Sequence, residues 1–142
     1  MAKEATVRAQ LATGMRFDVE TGSGHKIVLD TAKDDDGQDA GPRPMEMLLV
    51  GLAGCAGIDI ISMLRKMRQS VIAYEIRVHG IRADEHPRVY TQITVEHIIT
   101  GQNVQPDTVQ RAIKLSEERY CSVNAMLDKT AAITHTFQVI EG

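Results

Sequence analysis

The stretch Gly41-Pro-Arg-Pro-Met-Glu-Met-Leu-Leu-Val-Gly-Leu-Ala-Gly-Cys55-Ala-Gly-Ile-Asp-Ile-Ile-Ser-Met-Leu-Arg-Lys-Met-Arg68 decides how the chain folds. It reads as one long helix over 45–68, entered through Pro44, since proline fits the first helical position. From Met47 to Ile58 the thiol of Cys55 is the only polar side chain. A helix apolar on nearly every side has to be buried. This uncharged run is shorter than the roughly 18 apolar residues that a membrane span needs. The helix is therefore expected at the centre of a soluble protein, with a cysteine at its middle. Gly51, Gly54 and Gly57 recur along it. Each interior glycine costs a helix about 0.5–1 kcal/mol relative to alanine, so three together predict close packing of another element. The cluster Arg65, Lys66 and Arg68 complements the negative helix end.

Upstream of the helix, Val7, Ala9, Leu11, Met15, Phe17 and Val19 alternate with mostly polar residues, the period of a half-buried strand. Gly14 reads as a bulge or bend within it, and Thr21-Gly-Ser-Gly24 as a hairpin turn into a strand over 25–30. Residues 32–44 form an acidic loop. Aligning Gly37 with the glycine of a calcium-binding loop would put Ala32 first and Arg43 twelfth, neither of which supplies the required carboxylate, so a solvated loop is expected. Downstream, Tyr74, Ile76 and Val78 alternate with polar residues, 83–87 is a turn, and a longer strand covers 88–100. Pro106 opens a helix that runs to Tyr120. Ser122 caps a short helix over 123–127, and a last strand covers 131–140. The order β-β-α-β-β-α-α-β predicts an α+β fold of antiparallel sheets around the long helix, in a single domain spanning 1–142. Its apolar surface exceeds what one such chain covers, which points to a dimer sharing the helix.

The chain of 142 residues carries a net charge of −3, a balance unlike the basic patch of a nucleic-acid binder. Residues 1–30 contain no apolar leader pattern, so the expected compartment is the cytoplasm. The two cysteines, Cys55 and Cys121, do not form a zinc-type Cys-x-x-Cys pattern. Taken one at a time, each is as well explained as a small buried hydrophobe. Burial in the apolar helix would raise the Cys55 thiol and quiet it, unless a cation such as Arg8 or Arg16 from the first strand reaches it. Cys121, at the start of a short helix, is expected to favour its thiolate. His97 lies in line with Val95 and Ile99, and His135 with Ile133 and Phe137. They read better as hydrogen-bonded core histidines than as metal ligands completed by a cysteine. His25, His79 and His86 read as loop or polar-face residues.

The element order, the segment Pro44-Met-Glu-Met-Leu-Leu-Val-Gly-Leu-Ala-Gly-Cys55 and the segment Tyr120-Cys-Ser-Val-Asn-Ala-Met-Leu127 together resemble the OsmC/Ohr family of osmotically inducible and organic hydroperoxide resistance proteins. The resemblance covers essentially the whole chain, and it is greatest to the uncharacterised OsmC-like branch. It implies an intertwined homodimer in which residues 1–31 are exchanged with the partner and the two central helices pack back to back. It implies thiol-dependent reduction of organic hydroperoxides, with Cys55 as the peroxidatic and Cys121 as the resolving cysteine. Arg16 is the arginine that activates Cys55 on this reading. A dithiol, such as the dihydrolipoyl group of a lipoylated protein, would be the reductant. No cofactor, metal, nucleic acid or membrane is implied. Met45 stands where peroxidase members carry an acid, with Glu46 one residue further on, and Ser122 stands where they carry proline. These differences motivate an alternative, the same dimer without peroxidase activity, holding a small apolar or thiol ligand near Cys55.

Overall fold

The computed structural model describes residues 3–142 and has the element order expected of an α+β protein, with one strand more. The chain divides between Leu48 and Leu49 into two compact units. The first holds a three-stranded antiparallel sheet of β1 (Val7–Thr13), β2 (Arg16–Thr21) and β3 (Lys26–Leu29), in that order. The expected single strand over 7–19 is thus a hairpin. Gly14, at φ +58°, makes the turn that an L side chain rarely adopts. Leu11 pairs with Phe17 and Ala9 with Val19. Paired residues share a face of the sheet, so the alternation runs through the turn unbroken. The apolar side chains of this hairpin are open: Val7 is 66% and Leu11 60% exposed.

After β3, Asp30 organises the acidic loop. Its carboxylate accepts the backbone N–H groups of Thr31 at 2.7 Å and of Gln38 and Ala40 at 3.1 Å each. Burial alone would raise its pKa, but these three donors and the Arg43 charge hold it below the ordinary aspartate value. The loop then delivers the chain to α1 (Pro44–Lys66).

The second unit contains the rest of α1, β4 (Ser70–Arg82), β5 (Tyr90–Gln102), α2 (Pro106–Leu115), α3 (Ser122–Leu127) and β6 (Ala132–Glu141). The helix expected to run to Tyr120 does so, its last five residues, Ser116–Tyr120, being of π type. β4 and β5 are antiparallel, whereas β6 joins the other side of β5 in parallel. This corrects the expectation of wholly antiparallel sheets. The physical cause is the helical connection between β5 and β6, which carries the chain back to the end where β5 began, as a parallel crossover requires.

Leu52, Ala56, Ile60 and Leu64 recur every fourth residue of α1 and are fully buried. They form the core with Ile93, Val95 and Ile99 of β5 and Val109 and Ala112 of α2. α1 lies against β4: a Cβ on Gly57 would fall 2.7 Å from Ile76 Cδ1. Burial is confined to that stripe. Val50 is 56% and Ile58 71% exposed, and the space around Gly51 and Gly54 is open. An Ile60→Ala variant is expected to lose roughly 2–5 kcal/mol of stability, the range for a buried aliphatic cut to alanine, measured by denaturant unfolding. By length and composition α1 is apolar enough to cross a membrane, with a mean hydropathy of 2.1, contrary to the reading of its uncharged run as too short. Within this unit one stripe of it packs into the core, and Asp59 is hydrogen-bonded to Ser116.

Candidate active site

Cys55 lies in the middle of α1 and is partly exposed, whereas Cys121 is buried immediately before α3. The backbone breaks out of the helical conformation at Cys121, with φ −78° and ψ 101°, and its thiol takes the N-cap place of α3, Sγ accepting the Asn124 N–H at 3.3 Å. Sixty-odd residues of chain thus fold back so that the two thiols meet. Cys55 Sγ, Cys121 Sγ and a carboxylate oxygen of Asp59 all lie within 4.8 Å of one another. Asp59 reaches the group because it is one helical turn beyond Cys55 and so shares its face. Ser116 Oγ donates to Asp59 Oδ2 at 3.3 Å, which steers the carboxylate.

The two thiols differ in exposure, and burial acts on Cys121. Cys121 is pushed up to about 12, first by burial, then by its hydrogen bond to Cys55 and by the nearby charges of Cys55 and Asp59. The Asn124 N–H acts in the opposite direction and is outweighed. The expectation that the helix start would favour a Cys121 thiolate is therefore reversed. Burial dominates, and α3 is only six residues long. The Cys121 thiol therefore keeps its proton near pH 7.

Behind Cys121 runs a partly buried polar chain. His135 Nε2 lies 3.0 Å from Asn124 Oδ1, His97 Nε2 lies 2.9 Å from His135 Nδ1, and Tyr74 Oη lies 2.6 Å from His97 Nδ1. An amide oxygen only accepts, so His135 donates from Nε2; a Glu117 carboxylate oxygen 3.6 Å from the same nitrogen calls for the same N–H. His135 Nδ1 is then left to accept from His97 Nε2–H, and His97 Nδ1 accepts the Tyr74 O–H. Every donor points from Tyr74 towards Asn124. Burial, and then the neighbouring His135, lowers His97 to about 4; burial also lowers His135. Both rings are neutral near pH 7, as this one-way chain requires. They are hydrogen-bonded core histidines, as expected, and stack with ring centroids 5.2 Å apart.

A model of the family described as OsmC-like protein matches residues 36–136. The chain belongs to the OsmC-like family. Protein YhfA of Escherichia coli strain K12 is 40% identical over 133 residues, which cover 94% of this chain and 96% of YhfA. A hypothetical protein of known structure from Aquifex aeolicus VF5 is 30% identical, with a TM-score of 0.88 over 99% of both chains. The fold also matches an organic hydroperoxide resistance protein OsmC from Legionella pneumophila, with a TM-score of 0.70 at 13% identity over 97% of this chain and 98% of that one.

In this OsmC-like chain Arg16 belongs to the first unit, where its Nε donates to Asp18 Oδ1 at 2.8 Å. At the start of α1, the Glu46 carboxylate accepts the Arg43 backbone N–H at 2.8 Å, which is half of a capping box. Sequence reasoning missed Asp59, Ser116, Asn124 and Tyr74. The four-residue spacing of Asp59 from Cys55 was a usable signal, as was the three-residue spacing of Asn124 from a capping Cys121. The meeting of Ser116 with Asp59 and of Tyr74 with His97 had no such signal, because both depend on tertiary packing.

Proposed function

We propose that the protein reduces organic hydroperoxides through a Cys55–Cys121 dithiol cycle. The observation that carries this reading is the approach of the two sulfurs to within 4.8 Å, with different environments around them. In the first step the Cys55 thiolate attacks the terminal oxygen of the peroxide. The O–O bond breaks, the alkoxide takes a proton and leaves as alcohol, and Cys55 becomes a sulfenic acid. Cys121 then attacks that sulfur. Its proton leaves with the sulfenic hydroxyl as water, and the S–S bond forms. An external dithiol of the dihydrolipoyl kind reduces the disulfide by exchange, being oxidised to its own disulfide. A Cys121 that stays protonated until Cys55 is oxidised suits the resolving role. The cavity of about 530 Å³ with Ile58, Met63, Met67, Leu115 and Tyr120 in its walls, and Asp59 among them, suits a hydroperoxide with an apolar tail.

The active form on this reading is a cytoplasmic homodimer. Its support is the apolar surface left open on β1 and β2 and on the Val50 and Ile58 side of α1. Arg16 is assigned as the cation that favours the Cys55 thiolate, on the strength of the family resemblance. The test is peroxide consumption with a dithiol reductant in excess. The wild type is expected to turn over an alkyl hydroperoxide, and Arg16→Ala to slow the first oxidation roughly tenfold, which corresponds to about 1.36 kcal/mol of lost charge interaction. An unchanged rate in Arg16→Ala would remove Arg16 from the site. Absence of any turnover in the wild type would favour the non-enzymatic reading, for which the use of Glu46 as a helix cap is the specific support.

A further inference from the structure

We infer that the reduced protein binds one thiophilic divalent cation, of the Zn²⁺ class, through Cys55 Sγ, Cys121 Sγ and an oxygen of Asp59. Two soft sulfur ligands and one carboxylate lie within 4.8 Å of one another. A tetrahedral zinc ion with bonds of about 2.3 Å to sulfur and about 2.0–2.2 Å to oxygen holds its ligand atoms roughly 3.5–3.8 Å apart. The cluster therefore needs only a small contraction to close on a cation. Thiolates select zinc and related ions over calcium or magnesium.

The surroundings are those of a ligand set. Ser116 Oγ holds Asp59 Oδ2, leaving Oδ1 as the natural ligand atom, in the way outer hydrogen bonds orient metal-binding carboxylates. The Asn124 N–H is aimed at Cys121 Sγ, where it stabilises a thiolate once the proton has been displaced. Asp59 also lies in the wall of the neighbouring cavity, which offers an entry path and room for water as the fourth ligand. Three protein ligands with an open fourth position is the arrangement of zinc sites that keep a water ligand, rather than of closed structural zinc. Cation binding requires both thiols to be deprotonated, so it releases protons and strengthens as pH rises. The same ion would hold both sulfurs and withhold them from peroxide. The site rests on the cluster alone and not on peroxidase activity.

The test uses the reduced full-length protein and the metal alone. After equilibration with Zn²⁺ and dialysis, about one zinc per chain is expected. Co²⁺ in its place is expected to give thiolate-to-cobalt charge-transfer absorption with the strong visible bands of a tetrahedral ion. Cys55→Ser, Cys121→Ser, Asp59→Asn and thiol-alkylated wild type are expected to lose retention, and Ser116→Ala to weaken it by about 10–100-fold, as loss of an orienting partner does. Failure of the reduced wild type to retain zinc would overturn the inference. So would equal retention by the alkylated protein or by Asp59→Asn. The alkylated arm needs no variant to fold, and none of the arms uses a peroxide, so the outcome is separate from that of the peroxidase assay.

Discussion

Cys55→Ser is expected to lower hydroperoxide turnover by at least about three orders of magnitude, the scale seen when a reacting nucleophile is removed. A serine hydroxyl has nearly the thiol's size, but it ionises far less readily and is a far weaker nucleophile towards peroxide oxygen. The buried stripe of α1 does not include Cys55, so the fold should be unaffected, and unfolding curves of the variant should overlay those of the wild type. Cys121→Ser should behave differently. It retains the attacking thiol and is expected to release one equivalent of alcohol and then stop, with the sulfenic acid trappable on Cys55 by a sulfenate-specific reagent. A Cys55→Ser variant that still turns over would remove the helix thiol from the chemistry. A Cys121→Ser variant with full turnover would show that resolution comes from elsewhere.

The second large effect is on acid stability. His97 is fully buried, and its pKa is lowered to about 4 in the folded chain, from about 6.5 when unfolded. Between those two values the unfolded state binds the proton and the folded state refuses it. Stability contributed by the neutral ring is therefore complete above pH 6.5, is lost as pH falls through that window, and reaches its full loss below about 4. At 1.36 kcal/mol per unit, the loss is on the order of 3 kcal/mol for this one group. His135, lowered by burial, adds to it in the same direction. Carboxylates titrate over the same range, so the comparison is between the wild type and His97→Gln, an uncharged side chain that keeps hydrogen-bonding capacity. Denaturant midpoints of the wild type should fall more steeply from pH 7 to pH 4.5 than those of His97→Gln. Parallel curves would show that His97 is not held neutral by the fold.

How much of this was legible in the sequence depended on whether the signal was local. The long helix could be read from its uncharged run and its proline entry, and the α+β class from strands arriving in pairs. β1 and β2 merged in the reading because partners such as Leu11 and Phe17 share a face, so the alternation carried no mark of the turn at Gly14. The parallel pairing of β6 left no trace either, since period-2 alternation is the same in both strand directions. The apolar excess on α1 was visible in the sequence, and it persists as exposed Val50 and Ile58. The two thiols were legible as candidates. Their proximity was not, and neither was the balance at Cys121, where burial overrides a favourable helix start. Asp59 was hidden for a simpler reason: within an apolar segment a lone acid four residues past a cysteine attracts notice only once the second cysteine is known to meet that face.

The proposed function stands on the cooperation of Cys55 and Cys121, and the most direct test is to treat the reduced protein with one equivalent of an alkyl hydroperoxide, count the free thiols and weigh the intact chain. Loss of both thiols, a mass lower by two hydrogens, and full recovery of both thiols on adding a dithiol are the predicted result. Two thiols still titratable, with an unchanged mass, would contradict it.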